Sequence, residues 1–296
     1  MARLRLALEW FLNPDHVPFL VALERGWFAE AGLEVELVEP VEHFDAFKAM
    51  QAGEIDIAVT EPIHLVQDVA RGEGLVGFAR FLHTNGGVLA RTDSGITRPR
   101  DMAGKRLQYP GAPGPGGPAI VNTMIAADGG TPGEVVPVNN GFLHTDALAD
   151  DKADMATLVF YNFEVVEARH RGLQTVFFAL KDHGVPDFCQ LILIAQPGLI
   201  AERRADLDAF LAVLRRGIDT TKQEAEACRE IYFRRTETAV DDPLMSAIYA
   251  ATVPCFTHDL TMSRAYYDQL GAWLVQTGQC DAIPDFDGVW TNDLAL

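Results

Sequence analysis

At 296 residues the chain is long enough for two lobes of ordinary size, and 48% hydrophobic with 22% charged residues excludes a disordered chain. Twenty-four lysines and arginines against 42 acidic residues leave a formal net charge of −18, which argues against nucleic acid and anionic membrane surfaces as partners. Four separated cysteines, Cys189, Cys228, Cys255 and Cys280, form no C-x-x-C pair, so they suit neither a zinc site nor a disulfide framework.

Leu4, Leu6 and Leu8 alternate with Arg5 as in a strand, which Pro14 ends because it has no N–H to donate. From His16 the apolar residues Val17, Leu20, Val21, Leu23, Trp27 and Phe28 take helical spacing. Leu33–Val38 is a second strand, and Phe44, Phe47, Lys48 and Met50 suit a short helix closed by Gly53. Ile55–Val59 and Glu61–Val69 are the third strand and helix, which makes the order β-α-β-α-β-α and implies parallel strands with right-handed crossovers. Leu75–Leu82 and Gly87–Arg91 follow as strands around the turn signal Asn85-Gly86.

The programme then repeats. Lys105–Tyr109, Glu134–Val138 and Lys152–Leu158 are predicted strands; Ala119–Ala127, Leu143–Ala149 and Asn162–His170 are predicted helices. The third strands carry the copy most visibly, with Asp56 in Gly53–Ala58 matching Asp154 in Asp151–Ala156. Thr175–Ala179 and Gln190–Ala195 are further strands, and Leu199–Thr220, Lys222–Phe233, Asp242–Ala251 and Tyr266–Gln276 are predicted helices before a docked tail, Pro284–Leu296. The economical fold is α/β, with two βαβαβα lobes joined by a two-strand hinge near Gly87–Arg91 and Gln190–Ala195. Lobe one is expected to hold residues 1–89 and 192–296, and lobe two residues 90–191.

In parallel sheets ligands bind at the carboxyl ends of the strands. In lobe one that edge carries Trp10, Asn13, His16, Thr60 and Glu61; in lobe two it carries Tyr109, Tyr161, Asn162 and Glu164. Flat aromatic faces with one or two carboxylates suit a planar nitrogen heterocycle. The alternatives remain a core role for Trp10 and an ordinary helix N-terminus for Glu164. The loop Gly111–Pro118 lacks the G-K-[S/T] ending of a P-loop, and its three prolines remove donors, so a hinge or close backbone approach suits it better than a phosphate. The histidines are scattered without metal-ligand spacing, and no G-x-S-x-G elbow occurs. No apolar run reaches the length of a membrane span. The chain as given has no signal-peptide core and is expected to be cytoplasmic, or periplasmic or otherwise extracytoplasmic if a leader was removed.

Two segments, Leu6–His16 and Glu24–Val35, resemble the opening of the thiamine-pyrimidine branch of the type II periplasmic-binding-protein fold. Gly104–Gly111, Phe160–Glu164 and Gly184–Phe188 extend the resemblance to about Ala195, toward the formylaminopyrimidine-binding protein of an ABC uptake system. The resemblance implies that Trp10, Tyr109 and Glu164 contact a small pyrimidine ligand, that Phe188 joins the ligand-binding set, and that an ABC transporter permease is a partner. No metal or cofactor is expected. The fungal-type pyrimidine-precursor synthase shares the fold and consumes its own histidine and pyridoxal phosphate. Its pyridoxal-bearing lysine falls on Thr60, its reacting histidine on His64, and its cysteine cluster on Val185–Cys189, where only Cys189 is a cysteine. His64 is therefore the one catalytic candidate, under that alternative reading.

Overall fold

The computed structural model describes residues 1–40 and 45–295. The sequence reading at Phe44 lies outside them. By its contacts the chain divides into unit one, Met1–His83, Gln190–Ala272 and Cys280–Leu296, and unit two, Thr84–Cys189 and Trp273–Gln279.

In unit one, β1 (Ala2–Ala7) leads through a 3₁₀ turn at Pro14–His16 into α1 (Val17–Glu24) and α2 (Trp27–Glu30). Then come β2 (Leu33–Val38), α3 (Ala46–Gln51), β3 (Ile57–Thr60), α4 (Pro62–Ala70) and β4 (Val76–His83). Unit two opens with β5 (Gly86–Arg91) and continues with β6 (Arg106–Gln108), α5 (Gly116–Ala127), β7 (Val136–Val138), α6 (His144–Ala149), β8 (Met155–Phe160), α7 (Glu164–His170) and β9 (Thr175–Ala179). The chain returns to unit one through β10 (Gln190–Ala195), α8 (Pro197–Glu202), α9 (Arg204–Gln223), α10 (Ala225–Arg235) and α11 (Pro243–Thr252). In α12 (Arg264–Gln276) the residues from Trp273 onward group with unit two. The long helix expected at Leu199–Thr220 is two helices broken at Arg203, and the boundary expected after residue 89 falls inside β5, all of which pairs in the second sheet.

The two sheets have one topology. Sheet one runs β2-β1-β3-β10-β4 and sheet two β7-β6-β8-β5-β9. Four strands of each run in one direction, three of them paired in parallel, while β10 and β5 run antiparallel to both neighbours. The repeat extends to side chains. Arg5 donates its backbone N–H to Asp56 at 2.8 Å, and Arg106 does the same to Asp154 at 2.8 Å. Each guanidinium then reaches back to the chain before the third strand, Arg5 to the Gly53 carbonyl and Arg106 to the Asp151 carbonyl, both at 2.5 Å. Gly53 and Asp151 share the left-handed conformation, φ +68° and +56°, that ends the preceding helix.

In unit one α1 is apolar almost throughout because it is buried against α9 and α10, with Phe19 edge-on to Phe81 of β4 at 5.2 Å. Phe210 of α9 stacks on Phe19 and Phe28 at 6.0 and 5.3 Å, and Gly217 sits where any Cβ would come within 2.5 Å of the Pro18 carbonyl. The edge strand β4 is covered rather than left open: its backbone bonds Val289 and Thr291 at Gly77 and Leu260 at Arg80.

Candidate ligand-binding site

The register sets which loops are neighbours. In unit one Leu6 and Ala7 pair with Ile57 and Ala58, so the loop after β1 and the loop after β3 leave adjacent strand ends. In unit two Leu107 and Gln108 pair with Met155 and Ala156, which makes the loops after β6 and β8 neighbours in the same way.

The turn after β1 is held from within. Asn13 Oδ1 accepts the Asp15 N–H at 2.8 Å, and Asn13 Nδ2 donates to the Phe11 carbonyl at 3.0 Å. His16 is fully buried; its Nδ1 accepts the Asn13 N–H at 3.2 Å and its Nε2 lies 3.0 and 3.1 Å from the two Glu9 oxygens. Burial works against a charge on His16 and Glu9 favours one, with a net upward pull on its proton affinity. The Nδ1 lone pair, however, is occupied by an N–H, so the bonded geometry holds the neutral imidazole with its proton on Nε2, donated to Glu9. Asn13 and His16 thus support the turn, and what the turn presents is Trp10, half-buried, with its ring 4.2 Å from that of Phe11. Thr60 and Glu61 are half-buried at the end of β3 and the N-cap of α4, and His64 is exposed on α4.

In unit two, Tyr109 occupies the repeat position of Leu8: the Leu8 N–H bonds the Val38 carbonyl and the Tyr109 N–H bonds the Val138 carbonyl. It is accordingly buried, 1% exposed, with its hydroxyl donating to the Gly114 carbonyl at 2.7 Å. A Cβ on Gly117 would come within 2.6 Å of its ring, so this glycine is what lets the loop close over the tyrosine. Glu164, 4% exposed, is the first residue of α7, and its Oε2 accepts the Phe160 N–H at 2.8 Å across the turn from β8. Asn162 is buried in the same turn. Tyr161 faces α7: its hydroxyl accepts from Arg169 at 2.9 Å, with that guanidinium 5.2 Å from the ring and Phe177 edge-on at 5.2 Å. Phe188 is buried near β10 and stacks on Trp273 at 6.2 Å. Sequence reasoning passed over Phe11, Glu9 and the loop Asn139–Leu143. Phe11 had a signal in its place beside Trp10; the loop had little beyond Asn-Asn-Gly.

Among the described residues no group of three or more His, Cys, Asp or Glu could hold a metal ion, and no helix is long and apolar enough to cross a membrane.

Two α/β sheets of identical mixed topology, with loops gathered at the carboxyl ends of their parallel strands, define the periplasmic-binding-protein fold. The solved structures agree on it. The aliphatic sulphonate-binding protein SsuA of Escherichia coli superposes with a TM-score of 0.77 at 12% identity over 99% of this chain and 93% of its own. The alkanesulfonate-binding SsuA of Xanthomonas axonopodis does so with a TM-score of 0.74, also at 12% identity, over 99% of both chains. The family model described as NMT1/THI5 like matches residues 13–227, and the chain belongs to that family. Among named relatives, a 4-amino-5-hydroxymethyl-2-methylpyrimidine phosphate synthase of Legionella pneumophila is 28% identical over 98% of this chain and 92% of its own. A formylaminopyrimidine-binding protein of Halalkalibacterium halodurans is 27% identical over 72% of this chain and 64% of its own.

Proposed function

We propose that the chain is a substrate-binding protein for a small planar pyrimidine of the thiamine-precursor type, similar to formylaminopyrimidine, held by strand-end loops and delivered to an ABC transporter permease. The observation that carries this reading is the duplicated strand-end edge, with Trp10 on one copy and the Glu164 turn on the other. Trp10 stacks on the ring and Glu164 accepts from the exocyclic amine, while Thr60, Glu61 and the Tyr109 loop shape the walls and Asn13 and His16 hold the turn that carries Trp10. The named binding-protein relative supports the ligand class. Stacking adds about 0.5–1.5 kcal/mol beyond area burial, and a hydrogen bond to the carboxylate about 1.5–3 kcal/mol. Calorimetric titration with formylaminopyrimidine, hydroxymethylpyrimidine, thiamine and riboflavin tests it: micromolar or tighter binding of a pyrimidine is expected, and binding of none refutes the ligand class.

A second reading is a diverged pyrimidine-precursor synthase, favoured by the extent of the match to the Legionella synthase. That chemistry holds pyridoxal phosphate as an imine on a lysine. The resemblance puts Thr60 at that position, and a threonine hydroxyl cannot form an imine, so the residue does not fit the group. Incubation with pyridoxal phosphate and iron, followed by mass spectrometry of the His64 peptide, separates the readings; a consumed His64 favours the synthase.

A further inference from the structure

The internal repeat singles out one residue that breaks it. Arg5, Leu6 and Ala7 of β1 stand in register with Arg106, Leu107 and Gln108 of β6, each against the equivalent third strand. Where unit one has the buried Ala7, unit two has a glutamine at 0% exposure. A buried amide costs stability unless bonded, and the Gln108 amide is bonded on both sides. Its Oε1 accepts the Asn140 N–H at 2.8 Å and its Nε2 donates to the Gly141 carbonyl at 2.8 Å. Both partners lie in the loop after β7.

That loop is tied down elsewhere as well. Asn139 Oδ1 accepts the Gly141 N–H at 3.0 Å, Asn139 Nδ2 donates to the Ala112 carbonyl at 3.1 Å, and Asn140 Nδ2 donates to the Leu143 carbonyl at 3.0 Å. What this scaffold presents is apolar: Phe142 is 41% and Leu143 58% exposed. Of the seven large hydrophobic residues that are exposed among the described residues, these two and Phe11 lie on loops at the carboxyl ends of parallel strands. A hydrogen-bonded loop that leaves part of an aromatic face accessible, on the same sheet edge as the loops that carry Tyr109 and Glu164, suits contact with a flat ligand.

We infer that the loop Asn139–Leu143 is a further wall of the unit-two ligand face, with Phe142 as an apolar contact to the pyrimidine and Gln108 as the residue that positions it. This rests on the binding reading above. Gln108 acts through the loop and touches no ligand.

The test is a double-mutant cycle on binding of 4-amino-5-hydroxymethyl-2-methylpyrimidine and of formylaminopyrimidine, followed by calorimetry, with thermal melts of the empty proteins. Phe142→Ala is expected to weaken binding about fivefold with the melting temperature moved by no more than about 2 °C. Gln108→Ala is expected to weaken binding similarly, and the double variant to bind no more weakly than Gln108→Ala alone, because both remove one contact. Wild-type affinity in Phe142→Ala, or losses that multiply in the double variant, overturns the inference while leaving the binding reading intact. If Gln108→Ala does not fold, Phe142→Ala decides the question alone. Failure of the wild-type protein to take either pyrimidine overturns both.

Discussion

Asp154 grips Arg106 from both sides of the peptide: one carboxylate oxygen takes the Arg106 backbone N–H at 2.8 Å, the other its Nη2 at 2.7 Å, and the Asp154 N–H returns to the Arg106 carbonyl at 3.0 Å. Asp56 and Arg5 repeat this in the other unit, with 2.8 Å to the backbone N–H and 2.9 Å on the return. The pair stitches the first strand to the third, and so sets the register that places the loops after those two strands side by side. Asp154→Ala and Asp56→Ala should each lower stability by about 1.5–3 kcal/mol, the lower end applying because the side chains are partly in water. Denaturant unfolding of each variant measures the loss. An unchanged midpoint for either would make that clamp ornamental.

The binding prediction at Glu164 is sharpened by its surroundings. Read from sequence, the residue sits at a cleft and has little to do with stability; the structure buries it and gives it the Phe160 N–H. Glu164→Gln keeps an acceptor for that N–H and removes the charge. It should weaken pyrimidine binding about tenfold to a hundredfold, or 1.4–2.8 kcal/mol at about 1.4 per decade, with a small change in melting temperature. Glu164→Ala also abandons the turn, and should cost about 1–3 kcal/mol of apo stability as well. Calorimetry and thermal melts on the two variants separate the roles; normal binding by Glu164→Gln would remove the carboxylate from the ligand site.

His144 gives a pH dependence. Burial at the start of α6 pushes its imidazole down to about 4, and its Nδ1 has no hydrogen-bond partner among the described residues. In the unfolded chain a histidine titrates near 6.5. Between those values the unfolded state holds the extra proton, so stability should fall as the pH drops from about 6.5 to about 4. The full effect is about 3 kcal/mol at 1.36 kcal/mol per unit of pH. His144→Phe should flatten the stability profile in that window, as read by urea unfolding at several pH values. A slope unchanged by the substitution would assign it to other groups.

Gly117→Ala tests how the loop after β6 is built. Its new methyl group would meet the Tyr109 ring at 2.6 Å, where only displacement of the ring or the helix start relieves it. A loss of about 1–3 kcal/mol is expected, together with weaker ligand binding, since the loop packs on that ring. Full retention of both would show that the loop yields freely.

Much of the fold was legible because the residues that define it act locally. Alternation in Leu4–Leu8, helical spacing from His16, and glycines at helix ends are read within a few residues, and the Asp56/Asp154 correspondence revealed the repeat. The antiparallel strands β5 and β10 carried no such label, because an apolar run such as Leu191–Ile194 reads the same in either direction. The site was legible to the level of the loop and less so to the side chain. Asn13 and His16 look like ligand groups in sequence, yet their bonds close their own turn. Tyr109 looks like a second Trp10, yet the register puts it at the place of Leu8, inside. Phe11 and Phe142 were missed because exposure of an apolar residue is a tertiary fact.

A crystal structure of the protein grown with 4-amino-5-hydroxymethyl-2-methylpyrimidine or formylaminopyrimidine would show which residues hold the ring. The ring is expected to lie against Trp10 with its amino group within hydrogen-bonding distance of a Glu164 oxygen. A pyrimidine bound away from both residues, or joined covalently to the protein, would contradict the binding reading.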